Sequence, residues 1–287
     1  MTDRHKGGMK NFLTRTLTGA AYVAIMVFCT VFRPWTLGVL LLLLTVLAVN
    51  EFLSIQCSNS KRRVSKVIVL CGCVLLPLAV FVQTYLKGAD FFLTLVPYLV
   101  FIVFLFVSEL FAENEDPFGN LALTMLSQGY VVLPLSLMSV LAFGSFPIIQ
   151  QEHPFYILPL AVLFFVWCND TGAYLAGSLL GKHKLIPRIS PGKTWEGSIG
   201  GAILTILLSV LLWHFWPIMS IFQWMGFALV VVVFGTFGDL TESLMKRKLG
   251  LKDSGNILPG HGGILDRIDS LLLAVPSAVI YLYLCGF

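Results

Sequence analysis

The sequence predicts an all-α protein, a polytopic bundle of transmembrane helices, and three observations carry that prediction. Only 12% of its 287 residues are charged, against 57% hydrophobic, whereas soluble globular chains carry about 25% charged residues. Apolar runs able to cross about 30 Å of hydrocarbon, which takes roughly 20 residues of helix, recur along the whole length. Almost all Lys and Arg fall in the connections between alternate runs.

The runs read as nine spans, near 16–32, 35–55, 66–86, 91–108, 121–143, 155–180, 198–216, 218–238 and 266–285. The first follows Arg4, Lys6, Lys10 and Arg15 and so resembles a signal peptide. It has no small-x-small cleavage site, and a second run begins directly after Arg33-Pro34, so an uncleaved span is expected. Pro77, Pro97, Pro134, Pro159 and Pro276 fall within spans, where neighbouring helices can satisfy the carbonyls that a proline frees. Residues 1–150 are thus N-terminal transmembrane helices and 151–287 a C-terminal transmembrane catalytic region, both parts of one integrated membrane domain. No repeat or soluble domain interrupts them.

Lys and Arg set orientation. With a cytoplasmic N-terminus and nine alternating spans, every one of the 19 basic residues except Arg33 and Lys87 faces the cytoplasm. That predicts a multi-pass protein of a cell's inner membrane, N-terminus in and C-terminus out, from a bacterial source. The formal charge of +4 then conceals a basic cytoplasmic face suited to anionic lipid headgroups. Nothing points to nucleic acid. The six cysteines form no CxxC pair and have no His partner at zinc spacing, so they read as small hydrophobes.

An ionisable residue inside a span costs about 2.5–3.5 kcal/mol near the helix centre, so its presence asks for a reason. Asp170 is such a residue. It is followed by Gly172, Ala173, Ala176 and Gly177, small side chains that let a second helix approach closely. The loop after this span ends Ser190-Pro191-Gly192-Lys193-Thr194. A P-loop is excluded because Pro187 stands where its first glycine belongs. Hydroxyls, an ammonium and backbone N–H groups just before a helix nonetheless suit an anion. His183 and Lys184 read as ordinary loop residues.

The third polar segment is the densest. Asp239, Glu242, Ser243 and Lys246 share one helical face, followed by Arg247 and Lys252. A glycine-rich turn around His261 leads to Asp266, Arg267 and Asp269 at the head of the last span. Clustered carboxylates suit Mg²⁺, which shares its shell with water and substrate phosphates. Interleaved Lys and Arg suit the phosphates themselves.

Ser243 to Asp269, with its Lys-Asp-Ser-Gly and Leu-Pro-Gly-His-Gly-Gly-Ile-Leu-Asp-Arg-Ile-Asp, resembles the signature of phosphatidate cytidylyltransferases. Asn-Asp-Thr-Gly-Ala-Tyr at 169–174 and Ser-Pro-Gly-Lys-Thr-Trp-Glu-Gly at 190–197 are similar to that family's other polar motifs, in the same order. The resemblance covers about residues 165–270. It implies that CTP and phosphatidic acid are joined to give CDP-diacylglycerol and pyrophosphate for phospholipid biosynthesis, and it suggests a homodimer. Asp239, Asp266 and Asp170 are then the expected metal ligands, with Asp269 joining them or orienting Arg267. Mg²⁺ is the expected cofactor, with a second cation left open. Asp170, Asp239, Asp266 and Lys252 are the catalytic candidates. Lys193, Lys246, Arg247 and Arg267 would hold phosphates, and Ser190, Thr194 and His261 would supply neutral hydrogen bonds. Another lipid phosphate as substrate stays open, as does a secondary transporter built on intramembrane carboxylates. A CDP-alcohol phosphotransferase is disfavoured because its Asp-Gly-x-x-Ala-Arg opening is missing around Asp266.

Overall fold

The computed structural model describes residues 2–57, 64–86, 89–149, 152–251, 253–255, 257 and 262–285, with side chains from residue 16 onward. Its helices follow the expected spans in order. They are α1 (Thr2–Phe32), α2 (Pro34–Cys57), α3 (Lys66–Tyr85) and α4 (Phe91–Phe111), then a composite rod. In that rod α5 (Pro117–Ser127) passes through a π-helical turn at Gln128–Val132 into α6 (Leu133–Phe143). There follow α7 (Ile157–Leu180), α8 (Trp195–Phe215), α9 (Ile221–Lys248) and α10 (Leu265–Leu284). Among the described residues, eight rods are long and apolar enough to cross a membrane, and the apolar part of α1, Thr16–Phe32, is shorter.

Three departures from the expected spans have local causes. Pro134 offers no N–H, and its ring would clash with the carbonyl four residues back; the wider π turn lies just there. Helix α8 begins at Trp195 because Thr194 caps it, its hydroxyl accepting from Gly197 N at 3.1 Å. Helix α9 runs on past the first charge to Lys248. Its polar residues pair along one face, and Lys246, Arg247 and Lys248 favour the negative end of the helix dipole. Between α7 and α8 stands an antiparallel hairpin, β1 (Lys184–Ile186) with β2 (Ser190–Thr194), pairing Lys184 with Thr194 and Ile186 with Ser190.

Packing follows membrane rules. The buried residues of α8 are Gly197, Gly201, Thr205, Ser209 and Leu212, while Ile199, Ile203, Leu207 and Leu211 point outward. Small residues inside and large ones outside is the pattern expected where lipid, not water, surrounds the bundle. The partner of that stripe is the small-residue face of α7. A Cβ added at Gly172 would lie 2.9 Å from Gly201 Cα, and one at Gly201 would lie 2.6 Å from Asn169 O. The close approach expected at Gly172 is therefore present, and it fixes α8 and the hairpin against Asp170's helix. Helix α10 packs into the core, with Leu265, Ile268, Leu272, Ala274, Val275, Ala278 and Leu282 fully buried. Helix α4 is peripheral, burying only Phe101 and Leu105.

Candidate active site

The hairpin is pinned at three points. Thr194 ends β2 and caps α8 at once. The Glu196 carboxylate accepts from the backbone N–H of Lys182 at 3.1 Å and of His183 at 3.2 Å, and it lies 2.6 Å from His183 Nδ1. From α9, Arg247 Nε donates to Ile189 O at 3.4 Å. Held this way, β2 carries Lys193 to α9, where its ammonium lies 2.5 Å from Asp239 Oδ2. Ser243 Oγ donates to the other Asp239 oxygen at 3.2 Å.

Two cavities meet at Asp170, and the Lys193–Asp239 pair lines one of them. One, of about 300 Å³, is lined by Asp170, Lys193, Thr194, Ser198 and Asp239 from α7, β2, α8 and α9. The other, of about 280 Å³, is lined by Tyr22, Trp167, Asp170, Asp266, Arg267 and Asp269 from α1, α7 and α10. Asp170 lines both, so the intramembrane carboxylate forms their common wall. A larger cavity, about 600 Å³, opens among Thr84, Tyr85, Phe143 and His153. It touches none of these carboxylates and its lining includes no Lys or Arg.

Beneath the second cavity lies a tighter cluster. Lys246 Nζ is 2.7 Å from Asp266 Oδ1 and 2.6 Å from Glu242 Oε2, and Glu242 is wholly buried. Asp266 also accepts from Ser254 N and Gly263 N, both at 2.9 Å. The turn that presents Gly263 bends at Gly262, whose φ of 82° is the left-handed conformation glycine supplies. Among the described residues, no three His, Cys, Asp or Glu side chains stand close enough together to hold a metal ion.

Of the residues singled out in the sequence, Asp170, Asp239, Asp266, Asp269, Lys193, Thr194 and Arg267 line the two cavities, and Lys246 braces Asp266 from below. Ser190 pairs with Ile186 at the head of β2 and lines neither cavity. The Thr194 hydroxyl is engaged as a cap, and Arg247 holds the hairpin. Lys252 and His261 lie outside the described residues.

Sequence reasoning missed two residues of the N-terminal half. Tyr22 of α1 donates to Arg267 O at 3.4 Å. Glu51 of α2, only 4% exposed, accepts from Leu265 N at 2.8 Å at the head of α10. The signal for Glu51 was the one used for Asp170, an ionisable side chain in an apolar run. It was masked because Glu51 lies near the run's end, where charges are commonplace.

The rods and their outward-facing apolar side chains define a multi-pass helical membrane protein. A model of the cytidylyltransferase family matches residues 13–285, and the chain belongs to that family. It is similar to the phosphatidate cytidylyltransferase of Staphylococcus aureus (strain COL), 41% identical over 172 residues, which cover 60% of this chain and 62% of that protein. Over the same shares it is 40% identical to the phosphatidate cytidylyltransferase of Staphylococcus haemolyticus (strain JCSC1435). It is 42% identical to that of Staphylococcus epidermidis (strain ATCC 12228 / FDA PCI 1200). In each case the match spans less than two thirds of the relative's length.

Proposed function

We propose that the protein is a Mg²⁺-dependent CTP:phosphatidate cytidylyltransferase. The observation that carries the reading is a pair of adjoining cavities with one carboxylate between them and a cation beside each, Lys193 in one and Arg267 in the other. Two anionic substrates that must react with each other need neighbouring sites of this kind. A phosphatidate oxygen attacks the α-phosphorus of CTP, the bond to the β-phosphate breaks, and pyrophosphate leaves with its electron pair. The attacking phosphate is already anionic, so the requirement is in-line positioning and charge neutralisation rather than a strong base.

Lys193 is suited to a phosphate because it can exchange Asp239 for the incoming oxygens. Arg267, beside α1 and α7, is suited to the second phosphate. Lys246 holds the Asp266 carboxylate in one orientation. The donor set fits Mg²⁺, which needs only one or two carboxylates when phosphates and water complete its shell. Asp170 with Asp239, which line one cavity together, would hold it. Bound there, Mg²⁺ would neutralise charge developing on the phosphates. The basic residues support a cytoplasmic N-terminus and a site facing the cytoplasm across an inner membrane, and a homodimer rests on the family resemblance alone.

The test is incubation of purified protein with labelled CTP and phosphatidic acid, with and without Mg²⁺. The expected result is labelled CDP-diacylglycerol with equimolar pyrophosphate, only when all three are present. Product with a different lipid phosphate but none with phosphatidic acid would redirect the substrate assignment. Movement of solute without pyrophosphate release would favour a transporter.

A further inference from the structure

We infer that Glu51, in the second helix and outside every polar motif, is a positioning residue that sets the Asp266 carboxylate. The inference rests on the proposed function for its activity readout, though not for its structural one.

The geometry is a short relay. Glu51 Oε2 accepts from Leu265 N at 2.8 Å and lies 3.5 Å from the donating Ser254 Oγ. Ser254 in turn donates its backbone N–H to Asp266 Oδ2 at 2.9 Å, and its hydroxyl accepts from Asp266 N at 3.2 Å. The loop closes around the carboxylate from two sides. A Cβ added at Gly255 would lie 2.5 Å from Glu51 Oε1, and one at Gly263 would lie 2.5 Å from Glu51 Oε2. Both glycines are therefore fitted to this side chain, and Gly263 N itself donates to Asp266 Oδ2 at 2.9 Å.

A buried side chain that engages the first N–H of a helix, the serine before it and two glycines between them fixes that loop as a peg fixes a hinge. What the loop presents is Asp266. Glu51 touches neither cavity lining, so it acts through Ser254 and the head of α10. The first 150 residues thereby acquire a task beyond spanning the membrane. They carry the peg.

Only acceptor oxygens are required by this geometry, since each contact to Glu51 Oε2 is a donated hydrogen. Glu51→Gln can present its amide oxygen to the same donors, whereas Glu51→Ala leaves Leu265 N and Ser254 Oγ without their acceptor. The test compares the two variants with wild type in two assays. Hydrogen exchange of the peptide covering 249–266 reads the loop directly. Cytidylyl transfer from CTP to phosphatidic acid, across a Mg²⁺ titration, reads its consequence.

Glu51→Ala should raise exchange in that peptide at least fivefold while leaving α7 and α8 unchanged. It should also lower kcat tenfold or more and raise the Mg²⁺ concentration for half activity. Glu51→Gln should restore protected exchange and at least a third of kcat. Ser254→Ala should lower activity, and its combination with Glu51→Ala should fall short of the product of the two losses, because they break the same relay. Unchanged exchange in Glu51→Ala would overturn the inference, whatever the activity. Equal losses in the alanine and glutamine variants would also overturn it, pointing to the charge. If wild type transfers no cytidylyl group, the functional reading fails, and the exchange comparison still decides the role of Glu51.

Discussion

Helix α9 carries two lysine–carboxylate sites on neighbouring turns, and they differ in access rather than in composition. Lys193 and Asp239 meet with 27% and 26% of their side chains exposed. Lys246, Glu242 and Asp266 meet with 13%, 0% and 7% exposed. A fully exposed ion pair is worth about 0–1 kcal/mol and a partly exposed one less than a buried one, so on the proposed reading Lys193 can leave its partner for a substrate phosphate. Separating a buried pair strands a charge and costs about 3–5 kcal/mol, so Lys246 stays where it is. On that reading similar chemistry serves exchange in one place and architecture in the other, and burial decides which.

The largest effect should come from breaking the buried site. Lys246→Met strands Glu242 and Asp266, and thermal unfolding in detergent should show a loss of about 3–5 kcal/mol together with loss of turnover. A variant that melts like wild type would place Lys246 with the exchangeable cations. The carboxylates of the open cavity should behave in the opposite way. Asp239→Asn and Asp170→Asn should each cut turnover by about a hundredfold or more with the melting temperature unchanged. Retention of a tenth of normal activity in either would remove that residue from the reacting centre.

A smaller effect is expected at the open cation. Lys193→Ala should lose about 1.5–3 kcal/mol of charge-assisted bonding, roughly ten- to a hundredfold in kcat/KM, without a measurable change in melting. Chelation of divalent ions should separate the regions again. It should abolish turnover but leave the melting temperature within about a degree, because in the buried site Lys246 already pairs with both carboxylates. The smallest effect belongs to Lys184, at the head of β1. Lys184→Ala should change kcat/KM by less than about twofold, since an exposed strand-end charge contributes little. Equal losses at Lys184 and Lys193 would mean that the hairpin contributes only diffuse positive charge.

What could be read in the sequence and what could not divide along physical lines. The spans were legible because about 20 apolar residues cannot easily do anything else. The α7–α8 seam was legible on one side, at Gly172, Ala173, Ala176 and Gly177, since close approach demands small side chains. Asp170 stood out as a charge where charges are costly, and Asp239 and Asp266 as carboxylates clustered with Lys, Arg and glycine at the ends of spans. The hairpin was not legible, because strands of three and five residues are too short to show a period. Thr194 was read as a ligand for an anion, although a hydroxyl just before a helix serves a cap equally well. Glu51 escaped because its role depends on a loop two hundred residues away, and no local pattern records such a contact.

That separation along the chain has a consequence in time. Glu51 and Leu265, which meet at the head of α10, are 214 residues apart. Synthesis proceeds N-terminus first at about 5–20 residues per second, so α2 waits roughly ten to forty seconds for the segment it secures. Throughout that interval the early helices can enter the bilayer and pack, yet the carboxylates of α9 and α10 are not in place, so on the proposed reading no nucleotide can be transferred. Arrest of translation before α10 should therefore yield a membrane-inserted, inactive chain. Release of the arrest should bring activity as a single late step, not as a gradual rise with length.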